Sequence, residues 1–252
     1  MNKVEPKQYW DKRFQDFGKY STGYTDKLLH KYDDNIRWNC FSKEVKILKG
    51  DKVLDIGCNY GEWSFRLAKL GANVIGIDII SKAIQLAKKK SEGQSLNISF
   101  KEMSVHELNF GNNFFDKIIS ITVMQHILDD KLFKMSLNKM NKQLKSNGEL
   151  IFIESASKNK IQETQKHKRE RTLDNQIKLL FDAGFYLSKI RGVNHLSSRS
   201  YYLLEIIPIP KFIKLRLQNI ILIFLNPIDI FLSRFSFFSK FSRLKLMIFK
   251  KI

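Results

Sequence analysis

The chain has 252 residues, 43% of them hydrophobic and 27% charged, a size and balance that exclude intrinsic disorder and fit one large α/β domain or one domain with an appendage. Lysine and arginine exceed the acids by +19, which favours anionic partners such as nucleic acid, an acidic membrane face or a phosphorylated substrate without choosing among them. The two cysteines, Cys40 and Cys58, have neither disulfide nor zinc spacing, so no metal site is expected.

The opening Met1-Asn2-Lys3-Val4-Glu5-Pro6 lacks the apolar stretch of a signal peptide, and the expected location is cytoplasmic. Residues 1–45 are polar and aromatic, with Tyr9, Trp10, Phe14, Phe17, Tyr20 and Tyr24. They read as one or two helices, and Trp10, Tyr20 and Tyr24 are either a lid or staples holding that helix to the next unit. A βα alternation begins at Lys52. Val53-Leu54-Asp55-Ile56 is a short apolar strand, and Gly61–Leu70 follows with helical spacing at Trp63, Leu67 and Leu70. Val74-Ile75-Gly76-Ile77-Asp78 is the second strand, and Ser81 can cap the helix over Lys82–Lys90.

Ile98–Met103 and Lys117–Ile121 read as the third and fourth strands. A helix from Asp130 to Leu144 stops at Ser146-Asn147-Gly148, and Glu149–Ile153 is the fifth strand. Strands that are nearly all apolar and alternate with helices predict a parallel sheet covered on both faces. Lys158–Arg171 is basic and reads as a loop or a mobile helix. Leu173–Ala183 is a further helix ending at Gly184, and Tyr186–Arg191 and Tyr201–Ile207 read as the last two strands.

Composition changes at Pro208. Residues 208–252 hold nine lysines or arginines and eight phenylalanines against the single acid Asp229. Asp229, Ser233, Ser236, Lys240 and Arg243 recur at helical spacing, with Ile228, Phe231, Leu232, Phe235 and Phe238 on the opposite face. The expectation is an amphipathic helical tail. Its uncharged run Leu217–Ile228 would span roughly 18 Å, too short for a hydrocarbon core of about 30 Å. It suits an anionic membrane surface, packing against the rest of the chain, or a dimer interface.

The chemistry concentrates at Asp55-Ile56-Gly57-Cys58-Asn59-Tyr60-Gly61, between a strand and a helix. Glycines there let a ligand approach the main chain, and Asp78, ending the next strand, can accept hydrogen bonds from both hydroxyls of a ribose. These residues resemble the first motif and second-strand acid of the class I S-adenosylmethionine-dependent methyltransferases. Phe114-Phe115-Asp116-Lys117-Ile118-Ile119-Ser120, Val123-Met124-Gln125-His126-Ile127, Leu144–Leu150 and Ala183-Gly184-Phe185 resemble later segments of the same family.

The resemblance implies a seven-stranded, mostly parallel Rossmann-like sheet over residues 46–207, with the helical lid before it and the tail after it. It implies S-adenosylmethionine as cofactor, held by Asp55, Gly57, Cys58, Asn59, Gly61, Asp78, Ile79, Ser104, Val105 and Gln125. Asn59 stands where the family often has glycine, and Ser104 where many members carry an aspartate for the adenine amino group. A dinucleotide site is disfavoured: the third glycine is missing, and Glu62 at the helix start would repel a phosphate.

His126, just past the fourth strand, is the candidate general base, with a packing histidine as the alternative. His167 reads as a solvated surface residue, His195 as a structural loop residue, and Arg37 as either a surface residue or a partner for the cofactor carboxylate. The expected acceptor is a small or membrane-associated molecule, such as a lipid-linked sugar or a prenylated ring. RNA methylation and a non-catalytic cofactor-binding scaffold or membrane adaptor are the alternatives.

Overall fold

The computed structural model describes residues 6–22, 26–156, 162–165, 167–196, 204 and 206–252. Two helices lead, α1 (Pro6–Phe17) and α2 (Lys27–Glu44), followed by β1 (Lys52–Ile56), α3 (Glu62–Lys69), β2 (Asn73–Asp78), α4 (Ser81–Ser91) and β3 (Ile98–Glu102). Then come β4 (Phe115–Ile121), α5 (Asp130–Gln143), β5 (Leu144–Ser155), a short hairpin β6 (Gln162–Gln165) and β7 (Lys168–Glu170), α6 (Leu173–Asp182) and β8 (Phe185–Gly192). The chain ends with α7 (Lys211–Leu232) and β9 (Leu244–Lys251).

The main sheet has seven strands in the order β3-β2-β1-β4-β5-β9-β8, parallel from β3 to β5 and antiparallel at β9 and β8. Strand residues alternate between two cores, as a sheet covered on both faces requires. Leu54, Ile118, Leu150 and Phe249 face α5 and α6, while Val53, Ile119, Ile151 and Ile248 face α2 and α3. The expected seven-stranded α/β fold with helices on both faces is therefore present.

Several local expectations change. Ser81 is the first residue of α4 and not its cap; Ile80 precedes the helix, and its N–H is met by the Asp78 carboxylate at 2.9 Å. The basic stretch read as a loop or a mobile helix instead holds the β6–β7 hairpin, its residues 158–161 and 166 lying outside the described residues.

The seventh strand is not Tyr201–Ile207. Leu204 and Ile206 are helical, and 201–203 and 205 lie outside the described residues. Its place is taken by β9, which enters the sheet between β5 and β8 with Ile151 opposite Ile248. The tail is thus helical only in its first part.

α7 is also longer than the uncharged run suggested. Phe212–Leu232 is long and apolar enough to cross a membrane by length and composition alone, yet here it lies beside α2.

Candidate active site

Sheet order reverses at β1 and β4, and a cavity of about 970 Å³ opens at the carboxyl ends of these strands, where open α/β sheets bind ligands. One half is built from the turns after β1, β2 and β3 and is lined by Gly57, Asp78, Ile79, Ser104 and Val105. Gly57 has φ +72°, and a Cβ there would sit 2.2 Å from Cγ2 of Val123. Only glycine closes this turn without displacing the loop after β4.

Asp78 organises the turn. Its carboxylate accepts the N–H of Asn59 at 2.8 Å and that of Ile80 at 2.9 Å, and burial raises its pKa to about 6. Asn59 takes the left-handed conformation with φ 49°, which asparagine tolerates better than most residues. Its side-chain nitrogen donates to Ser21 at 3.3 Å, while its Oδ1 is buried without a partner.

Four of the expected cofactor residues stand behind the cavity wall. Asp55 is buried, its pKa raised to about 6 by burial, and accepts the Ser64 hydroxyl at 2.5 Å, tying β1 to α3. Cys58 packs against Phe65 and Phe100, and Gly61, at φ +87°, also faces Phe100. Asn59 acts through Asp78, as above. Ser104 lines the cavity with its hydroxyl 2.8 Å from Nδ1 of His106, and Gln125 and His126 line it from the turn after β4.

That turn is pinned by a residue the sequence reading missed. Glu154, at the end of β5, accepts the N–H groups of Val123 and Met124, each at 2.8 Å. Burial lifts its pKa to about 7, and its second oxygen is buried without a partner. Thr122 beside it has φ 55°, a strained value for a β-branched residue. An acid closing the apolar run Ile151-Phe152-Ile153 was the available signal.

The other half of the cavity is aromatic and basic. Trp10 of α1 meets His126 edge-on at 4.8 Å, and His167 stacks on Tyr9 at 4.0 Å. Nδ1 of His126 lies 2.8 Å from the carbonyl of His167, which can only accept, so Nδ1 carries the proton and Nε2 the lone pair. Burial lowers the His126 pKa to about 4, so the ring is neutral near pH 7.

His167, expected in solvent, therefore lines the cavity, because the hairpin carries it inward. Lys168 and Arg243 also line it, and both ion-pair with the buried Glu170, at 2.7 and 2.6 Å. Arg37 lines the cavity too, paired with Asp33 at 2.5 Å. His195 is structural: its N–H donates to Asp229 at 2.9 Å. Tyr20 lies against His30, and Tyr24 is outside the described residues.

Residues 47–205 match the family described as a methyltransferase domain. The chain belongs to the class I S-adenosylmethionine-dependent methyltransferases. Among curated relatives, the ubiquinone biosynthesis O-methyltransferase of Rhizobium etli is 32% identical over 111 residues, 44% of this chain and 43% of that protein. The enzyme of the same name from Pelagibacter ubique is 36% identical over 113 residues, 45% of each chain. The match thus spans less than half the length of these relatives.

Solved structures share the fold at low identity. Phosphoethanolamine N-methyltransferase 1 of Haemonchus contortus superposes with a TM-score of 0.65 at 17% identity, over 98% of this chain and 48% of that one. A Haloferax volcanii methyltransferase complexed with the Trm112 activator gives 0.63 at 16%, over 100% and 99%.

This methyltransferase uses S-adenosylmethionine as its cofactor. The cavity fits that group: Gly57 lines it with bare main chain at a turn where Val123 leaves no room for a Cβ, the Asp78 carboxylate lies in the wall, and the motif has no third glycine shaped for a pyrophosphate.

Proposed function

We propose that this methyltransferase acts on a hydroxyl of a membrane-associated small molecule, a prenylated ring or a lipid-linked sugar, at the cytoplasmic face of an anionic membrane. The observation that supports the reading most is His126, a neutral imidazole in the cavity wall with Nε2 free of the proton. The name of the curated relatives supports an oxygen acceptor.

S-adenosylmethionine supplies a methyl group already electrophilic on its sulfonium. The chain then has to orient, exclude water and receive a proton. Asp78 would hold the ribose hydroxyls, the Gly57 turn would let the main chain approach, and Ser104 and Val105 would border the adenine. Asp55, Cys58, Asn59 and Gly61 keep that turn in shape from behind, while Ile79 and Gln125 complete the wall. Trp10 and Tyr9 cover the acceptor end. Nε2 of His126 would accept the proton that the acceptor hydroxyl gives up as its oxygen bonds to the methyl carbon and the methyl–sulfur bond breaks, the thioether leaving as S-adenosylhomocysteine.

The test is to incubate the enzyme with S-adenosylmethionine labelled on the methyl group and with separated lipid, RNA and soluble extracts of its source cells, using Asp78→Ala as control. Label in the lipid fraction that the control loses supports the proposal. Label in RNA or only in soluble material overturns the membrane-borne acceptor.

A further inference from the structure

α7 is built inside out. Gln218, Leu222, Asn226 and Asp229 of the helix, with Ser233 just after it, form the stripe that is buried against the protein. Asp229 is 0% exposed and accepts the backbone N–H groups of His195 and Leu196 at 2.9 and 2.7 Å. Opposite that stripe, at spacings of three and four, Leu217, Ile220, Phe224, Ile228 and Phe231 face outward, with Phe224 68% exposed. The turn that follows also exposes Phe237 and Phe241, with the Lys240 ammonium over both rings. A helix at a water-facing surface normally turns the other way, and a contiguous apolar face of this kind marks an interaction site.

Charge selects the occupant. The helix and its following turn carry Lys214 and Arg216 near one end and Arg234 and Lys240 near the other, and the one acid of residues 208–252 is the buried Asp229. A second copy placed symmetrically on this face would set cations against cations. An anionic bilayer surface instead takes the rings into its acyl boundary and the cations onto its headgroups.

We infer that α7 and the turn Ser236–Phe241 seat this enzyme on an anionic lipid surface, apolar face outward and polar stripe held on the protein. The inference rests on the reading that the acceptor is membrane-associated, and it places that membrane beside the site. Asp33 and Asn194 line both the catalytic cavity and a crevice between α2 and α7, which is closed on the far side by Gln218 and Leu222. The lipid-facing helix is thus one helix away from the cavity.

The experiment is co-sedimentation of the full chain with vesicles of phosphatidylglycerol and phosphatidylcholine, or of phosphatidylcholine alone. Phe224→Glu combined with Phe231→Glu is the comparison, because both side chains are exposed and carry no described core contact. We expect binding to mixed vesicles, weakened at high salt and lost at least tenfold in the double variant. Equal sedimentation of the variant, or none of the wild type, overturns the inference; so does loss of binding caused by self-association in buffer. S-adenosylmethionine affinity by titration calorimetry reports separately on the methyltransferase site. It should be the same for wild type and variant, so a failure of docking is distinguishable from a failure of the proposed activity.

Discussion

His126 and Glu154 do different work on the same turn. The imidazole is neutral because burial holds its pKa near 4, and its tautomer is set by the His167 carbonyl. If it receives the acceptor proton, His126→Ala should lower kcat by about 10²–10⁴-fold while leaving S-adenosylmethionine affinity unchanged. Unaltered turnover would reduce it to a packing residue under Trp10. Glu154 instead links stability to pH. Its folded pKa of about 7 lies above the ordinary 4.5, so its contribution is fully present below about pH 4.5 and is lost as pH rises through 7. The difference amounts to on the order of 3 kcal/mol. Glu154→Gln removes this term and leaves the buried Asp55 and Asp78 to titrate as before. Urea unfolding at about pH 5.5 and about pH 8 should show wild type losing more stability than the variant over that interval. Parallel losses in both proteins would mean that Glu154 does not carry the proton.

At the scale of elements, the Gly184 stop and the polar stripe were legible, but the Ser81 cap was not borne out and the direction of the stripe was not legible. Asp129 caps α5 as an acid ahead of a helical run should, accepting the N–H of Lys131 at 2.7 Å and of Leu132 at 3.0 Å. Asp129→Ala should cost about 1 kcal/mol in chemical denaturation. It should also raise KM, because Asp129 and Leu132 both line the cavity; an unchanged KM would show that the first turn of α5 does not touch the acceptor. The βα alternation through β5, the Gly57 turn and Asp78 could all be read because each is local: apolar runs, a left-handed turn and a strand-end acid leave marks within a few residues. The polar stripe through Asp229 and Ser233 was equally visible, but periodicity gives two faces and does not say which one meets the protein. His167 and Lys168 were missed for a related reason. Their place in the cavity depends on the β6–β7 hairpin, whose basic sequence looks solvated until Glu170 is buried beneath it.

At the scale of the molecule, the decisive difference is β9. Leu244–Phe249 is a short run, apolar but for Lys245, which as a pattern is ambiguous between a strand and the end of a helix. Tertiary pairing decides it: β9 completes the sheet between β5 and β8, with Leu246, Met247 and Phe249 fully buried. A chain shortened before Leu244 therefore removes an interior strand and not an appendage. It leaves the β5 and β8 edges unpaired and the inner faces of both cores open. We expect such a chain to lose cooperative unfolding and to aggregate, which makes it useless for testing the membrane surface. Point substitution separates the two roles. Phe249→Ala, beside Phe152 at a ring separation of 6.1 Å, should cost about 3–5 kcal/mol, a large share of the 5–15 kcal/mol typical of a domain. Its vesicle binding, measured below its lowered melting temperature, should match wild type, because α7 and its outward face remain. A shortened chain that unfolds cooperatively at the wild-type midpoint would show that the sheet closes without β9.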